Sequence, residues 1–299
     1  EAMIQAGQLH EALEYLREGA ALAERLDDNG QRSACACLTG QLMRRMGYYD
    51  EAEKRLTDAL AFAEGIDNKP LLMPCYINLA YTHLVMKSPE TAEKYVAAAG
   101  EIAKTLGDKN ALFHVALLHM QLGQGGDGDT EAASLAAELN TPREQALLAL
   151  ISLELNNRRE CAEGSETFLK AAEEYFSTCD RDIDQARYYL AAGDYRMLTD
   201  DLDRAGTDFR KAKELADKLK LLPEQWQAAA ALSESSFRRK DLEQSFAFAR
   251  LATGTLKKIA AKIKDPDRLG RFYNDGRIVA LLGRIKSLQS VLAKSKGAV

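Results

Sequence analysis

The feature that most limits what this chain can fold into is a small residue that returns at a nearly fixed interval. Ala12, Ala52, Ala92, Ala132, Ala162, Ala205 and Ser245 each stand near the start of an apolar, helix-patterned run. Three steps of 40 residues are followed by steps of 30, 43 and 40. A period of this length indicates one supersecondary unit stacked on copies of itself. Leu9, Leu13, Leu16, Ala20 and Ala23 recur at threes and fours, as do Leu56, Ala59, Leu60 and Ala63, so each run is a helix with one buried stripe. One helix pair cannot bury such a stripe alone, whereas stacked pairs bury each other's. The small residue marks where helices cross, and a bulkier one there would overpack. The short step predicts one abnormal unit.

Turn chemistry divides the runs. The second unit has a helix from Ser33 to Met46, stopped by Gly47 in a left-handed conformation. Asp50, with Glu53 three residues on, reads as a capping box for the helix that follows. The third unit is expected from Pro74 to Ala99, turning at Lys87-Ser88-Pro89-Glu90. The fourth has helices at Leu112–Leu122 and Thr130–Leu139 around a glycine-rich loop. Thr141-Pro142-Arg143-Glu144 starts the fifth with a cap and a first-turn proline, and Asn156-Asn157 is its expected turn. The sixth spans Ile183–Leu198 and Leu202–Leu219, and the seventh Pro223–Arg239 and Leu242 to about Lys264. Breaks at Asp265-Pro266-Asp267 and Phe272–Gly276 set off a last helix from Arg277 to Ala293. The expected organisation is a repeat array over 1–262 and a basic C-terminal helical cap over 263–299. Alanine-rich, aromatic-poor composition (7% aromatic) suits close-packed helices. The uncapped start at Glu1-Ala2-Met3 suggests a piece of something longer.

The second unit carries Gly40, Gly47, Tyr49, Ala52, Leu56 and Ala59. The third has Ala80, Ala92 and Ala99, and the sixth Gly193, Leu202, Ala205, Phe209 and Ala212. On these residues the chain resembles the tetratricopeptide repeat family, with units nearer 40 residues than the family's usual 34. Such long units resemble the arrays of bacterial multidomain regulators and of some eukaryotic adaptor proteins. The resemblance implies an all-α, right-handed superhelical solenoid of six to seven helix pairs with a C-terminal capping helix. It also implies a concave groove lined by the first helix of each unit, where a peptide or helix of a partner binds.

Other chemistries find little support. Gly123, Gly125 and Gly128 match G-x-G-x-x-G, but a dinucleotide fingerprint needs a strand before the glycines, and a helical run precedes them. Asp127 and Asp129 lack the remaining oxygen ligands of a calcium loop. His114 and His119 are five apart, off the spacing that two ligands on one helix face require. No catalytic set, metal site or cofactor is expected. The odd, irregular set Cys35, Cys37, Cys75, Cys161 and Cys179 reads as reduced, mostly buried thiols of a cytoplasmic protein. No apolar run approaches a membrane span, which needs roughly 20 residues.

The groove is the better candidate site. The register turns Cys37, Gln41, Arg44 and Arg45 into it from the second unit, and Ile77, Asn78, Tyr81 and Leu84 from the third. His114, Leu117 and Gln121 follow from the fourth, and Glu144, Leu147, Ile151 and Glu154 from the fifth. Arg187, Leu190 and Asp194 come from the sixth, and Gln227, Glu234, Phe237 and Arg238 from the seventh. Gln41, Arg44, Arg45, Asn78, Tyr81 and Gln121 are the expected partner contacts. Both arginines suit a carboxylate, and both also suit a solvated helix end. Asn78 fits one place in a family carboxylate clamp whose other basic members are missing. From Lys257 onward there are 11 Lys or Arg and three Asp, against 29 basic and 42 acidic residues before it. Such a tail can cap an acidic solenoid, meet an acidic protein, or bind nucleic acid, which is the least favoured of the three. The primary expectation is a non-enzymatic interaction scaffold within a larger signalling or regulatory protein. The alternative is a ligand- or peptide-sensing regulatory domain of a bacterial transcriptional regulator or of a signalling ATPase or kinase.

Overall fold

The structure is a computed structural model that describes residues 2–123, 127–179 and 183–296. Among them every element is a helix. In order they are α1 (Ala2–Gln5), α2 (Leu9–Arg25), α3 (Asn29–Arg45), α4 (Tyr49–Gly65), α5 (Lys69–Val85), α6 (Pro89–Leu106), α7 (Lys109–Leu122) and α8 (Asp127–Leu139). Then come α9 (Pro142–Arg158), α10 (Ser165–Phe176), α11 (Gln185–Leu198), α12 (Leu202–Leu219), α13 (Leu222–Arg238), α14 (Leu242–Ala260), α15 (Pro266–Tyr273) and α16 (Gly276–Lys296). Consecutive helices pack in pairs. The chain forms two compact units, one ending at Ile151 and one beginning at Ser152.

The helices are cut to length by one turn formula. From α1 to α6 a left-handed residue follows each helix, and the next helix starts two residues after it. In the first unit these residues are Gly7, Asp27, Gly47, Asp67, Lys87 and Gly107, spaced by 20, with φ between 47° and 84°. Asn140, Asp200, Lys220 and Lys240 continue the formula, whereas α10 starts five residues after the left-handed Glu160 and directly after the left-handed Gly164. Asp28, Asn68 and Asp108 cap α3, α5 and α7 by accepting the backbone N–H of Gln31, Leu71 and Ala111. These caps move several starts earlier than expected. α5 begins at Lys69 with Pro70 in its first turn, so Pro74 lies inside the helix rather than at its head. α4 begins at Tyr49 after the N-cap Tyr48, so Asp50 lies in the first turn and no Asp50–Glu53 capping box forms. The expected turn at Asn156-Asn157 is helical, and the break falls after Arg158. Both asparagines are held by their amides, Asn156 to Ser165 Oγ at 3.0 Å and Asn157 to the Ala191 carbonyl at 2.8 Å. Gly125 of the glycine-rich loop lies outside the described residues.

The repeat itself is cleaner than its letters suggest. Ala162 is in the turn before α10, and Ser165, fully buried, takes the crossing position. The steps are then 40, 40, 40, 33, 40 and 40. The missing seven residues are about two helical turns, and they are lost from the C-terminal half of α8. Ala132 is eight residues from its left-handed turn at Asn140, whereas Ala52 and Ala92 are 15 from theirs.

Behind each crossing residue the second helix of the pair buries the same stripe. Ala52, Leu56, Ala59 and Ala63 are fully buried, as are Ala92, Val96, Ala99 and Ala103, and Ala205, Phe209, Ala212 and Ala216. Twelve residues before each crossing residue, the first helix offers a partner of complementary size. Gly40 faces Leu56, and a Cβ on it would stand 2.5 Å from the leucine Cγ. Gly193 faces Phe209, where a Cβ would stand 2.4 Å from the ring. The register matches Ala80 with Val96, Met120 with Ala136 and Ser233 with Ala249, while Leu153 with Leu169 departs from the trend. Ser245, in the alanine position, donates to the Ser233 carbonyl at 2.8 Å, so its hydroxyl is satisfied where it is buried.

Of the five cysteines, none of them in a disulfide, Cys37 and Cys75 are buried, Cys35 and Cys179 half-buried, and Cys161 exposed. No helix among the described residues is long and apolar enough to cross a membrane.

Candidate functional site

The first helix of each pair presents one face that its partner does not cover. In the first unit α3, α5 and α7 lie side by side, and their polar side chains form a row. The Arg44 guanidinium sits over the Tyr81 ring at 5.1 Å, a cation–π arrangement. The Tyr81 hydroxyl is 3.3 Å from His114 Nδ1, and the two rings meet edge to face. Three residues from three successive first helices are thereby joined. Asn78, 9% exposed, donates to the Pro74 carbonyl at 3.0 Å and approaches Cys37 Sγ at 3.8 Å, so its amide is engaged within the helix wall. Gln41, Arg45 and Gln121 are half-buried on the same face by register. Leu117, expected in the groove, is fully buried in the core instead.

In the second unit the equivalent face is charged. Gln41, Tyr81 and Gln121 occupy one register position, and Glu154, Asp194 and Glu234 continue it on α9, α11 and α13. The Tyr81–His114 contact spans 33 residues, and Glu154 meets Arg187 across the same interval. Here the pair is bidentate, with Arg187 Nε and Nη2 donating to the two Glu154 oxygens at 3.1 and 2.8 Å. Asp184 adds a third contact at 3.3 Å. Burial disfavours the Arg187 charge, yet Glu154 and Asp184 more than offset this and hold its pKa above the ordinary value.

Glu234 accepts from Arg238 at 3.4 Å and also meets Arg284 of α16. Burial lowers the pKa of Arg284. Arg238 further donates to the Met197 carbonyl at 3.1 Å. Asp194 is the exception. Its counterpart to Arg187 is Gln227, and its nearest cation is Arg277 of α16 at 4.0 Å. Burial pushes its carboxyl up to about 6; Arg277 works against the rise and Glu154 adds to it.

A cleft of about 470 Å³ opens beside these groups, between α11, α13 and α16, within the range of ligand sites. Leu190, Met197 and Trp226 give it an apolar floor. α16 reaches it because Ile278, Leu281 and Leu288 are buried along one stripe. Its participation was not legible from the sequence. Arg277 and Arg284 stand seven residues apart, two turns on one face, which is the signal that could have found them. Asn157 was missed because paired asparagines read as a turn.

No protein-family model matches the chain, and no curated protein matches its sequence. Solved structures do match its fold. A signal transduction ATPase with numerous domains, which carries a tetratricopeptide repeat sensor and comes from Pyrococcus horikoshii, aligns with 93% of this chain at 16% identity and a TM-score of 0.55. Yeast Tom70 aligns with 97% of it at 12% identity and a TM-score of 0.51. This chain spans 45% of the first protein's length and 63% of the second's. At these identities the likeness concerns architecture alone, and the architecture is that of a tetratricopeptide-repeat solenoid.

Proposed function

We propose that this chain is a non-enzymatic protein-interaction scaffold whose α3–α5–α7 face binds a peptide or helix of a partner protein. The observation that carries this is the Arg44–Tyr81–His114 row. It joins three successive first helices through half-buried side chains that combine an aromatic face, a positive charge and a hydrogen-bonding imidazole. A surface fixed by stacked helices before binding avoids much of the ordering cost of association. Gln41, Arg44, Arg45, Tyr81 and Gln121 are the contacts, with Asn78 supporting the wall from within. The partner is a protein, ahead of nucleic acid, and the setting is the cytoplasm. Residues 1–262 act as the array and 263–299 as its basic cap.

The test is affinity capture of partners with the wild-type chain, followed by titration of an identified partner against R44E/R45E and Y81A. The expected result is at least roughly tenfold weaker binding for each, since aromatic and arginine anchors at interface centres contribute most of the energy. Unchanged affinity removes this face from the function.

A second reading, a ligand- or peptide-sensing regulatory domain, is favoured by the cleft in the second unit and by the sensor named for the Pyrococcus ATPase. A thermal-shift screen that finds no stabilising small ligand counts against it, because ligands specific to the native state raise stability.

A further inference from the structure

We propose that the cleft between α11, α13 and α16 is a second recognition site, in which Asp194 and Asn157 take the guanidinium of an arginine side chain from a partner peptide. The argument begins with the repeated rung. Glu154 and Glu234 each have an arginine in direct contact, bidentate from Arg187 in one case and from Arg238 and Arg284 in the other. Asp194 stands at the same position one repeat on from Glu154, but Gln227 replaces the arginine it would receive. The rung is one cation short.

A second acceptor lies beside it. Asn157 Oδ1 is buried and has no hydrogen-bond partner among the described residues. The Asn157 amide holds the Ala191 carbonyl, one helical turn before Asp194, and both Asn157 and Asp194 line the cleft. A buried acceptor left unmatched is costly. Two acceptors and an apolar floor define a donor-rich cation on an apolar stem, and arginine supplies both parts.

Arg277 is the in-chain stand-in for that ligand. It reaches Asp194 only at 4.0 Å, and its side chain is 52% exposed. A contact so long and so exposed contributes little, so a partner's arginine can displace it. Of the other charged groups around the cleft, Arg187 is committed to Glu154 and Asp184, and Arg284 and Arg238 to Glu234, while Arg158 and Glu160 line it as an exposed pair of opposite charges. Lowering pH protonates Asp194 and removes the attraction, so arginine affinity falls below about pH 6. This site is separate from the α3–α5–α7 face and does not depend on it.

Trp226, the chain's single tryptophan, lines the cleft and reports occupancy by its fluorescence. The probe is an acetylated, amidated heptapeptide, AALRLAA, with arms carrying citrulline or glutamate in place of arginine. Arginine amide alone is a further arm. The arginine peptide is expected to shift the emission saturably, with the citrulline and glutamate peptides at least roughly tenfold weaker. D194N is expected to abolish the difference between arginine and citrulline. R277A, which removes the competitor and leaves α16's apolar stripe intact, is expected to tighten the arginine peptide about threefold or more. Below pH 6 the wild-type affinity drops by up to about tenfold per unit, and in D194N it does not. The proposal is overturned if no peptide shifts the emission, if the glutamate peptide binds as well, if D194N binds like wild type, or if R277A weakens binding. Equal affinity for arginine amide and the peptide overturns the peptide assignment and makes the cleft a small-molecule site.

Discussion

At the scale of the residue, the array depends on how little space two helices leave each other. Gly40 and Gly193 are required because Leu56 and Phe209 fill the room a Cβ would need. Gly40→Ala is expected to cost about 1–3 kcal/mol in denaturant unfolding. Adding Leu56→Val, which reproduces the Ala80/Val96 pair, is expected to recover part of that loss in a double-mutant cycle. Gly254 is the control: nothing lies within 4 Å of its Cβ position, so Gly254→Ala is expected to stabilise by about 0.5–1 kcal/mol. Asp194 is a residue-scale case of another kind. Its folded pKa of about 6 is raised, so the native state holds a proton that the unfolded chain has already released at pH 5. The contribution of Asp194 to stability therefore falls as pH rises from about 4 to about 6. In melting curves across that window the wild type is expected to lose stability relative to Asp194→Asn as pH rises.

At the scale of the element, turns matter more than helix propensity. As far as Gly107 a left-handed residue every 20 positions cuts the chain into helices of 17 or 18 residues, and only some of those residues are glycines. Gly107 has open space around its Cβ position, so Gly107→Ala tests conformation alone and is expected to cost about 1–2 kcal/mol. Lys87→Gly relieves the same strain in the preceding turn (φ 58°) and is expected to be neutral or stabilising in thermal melts. This explains what the sequence made legible. The 40-residue period could be read because alanine at a helix crossing is a steric requirement. The 20-residue turn period was hidden at Asp27, Asp67, Lys87 and Lys220, because an acidic or basic residue carries no letter-level mark of a left-handed φ. The Ser165 crossing was misplaced by three residues because serine serves there only with its hydroxyl bonded to the Cys161 carbonyl. The neutral groove residues followed from register. The arginines of α16 did not, because no repeat unit predicts where a helix outside the array will lie.

At the scale of the whole molecule, a solenoid's stability is close to a sum of local terms, since each pair contacts only its neighbours. Gly40 against Leu56 in the first unit and Gly193 against Phe209 in the second each set the smallest residue against a large one, so a defect in one does not relax by repacking at a distance. Hydrogen exchange tests this directly. Gly40→Ala is expected to raise exchange across α3, α4 and α5, whose amides share the damaged crossing and its next interface. α12, α13 and α14, more than 150 residues further along the chain, are expected to keep wild-type protection under native conditions. The α3–α5–α7 face should lose partner affinity in the same variant while the Trp226 response to arginine peptide persists. Loss of protection throughout the chain would mean that the two units unfold as one. The Asp194 cleft would then sense damage at Gly40, and recognition at the two faces would be thermodynamically linked.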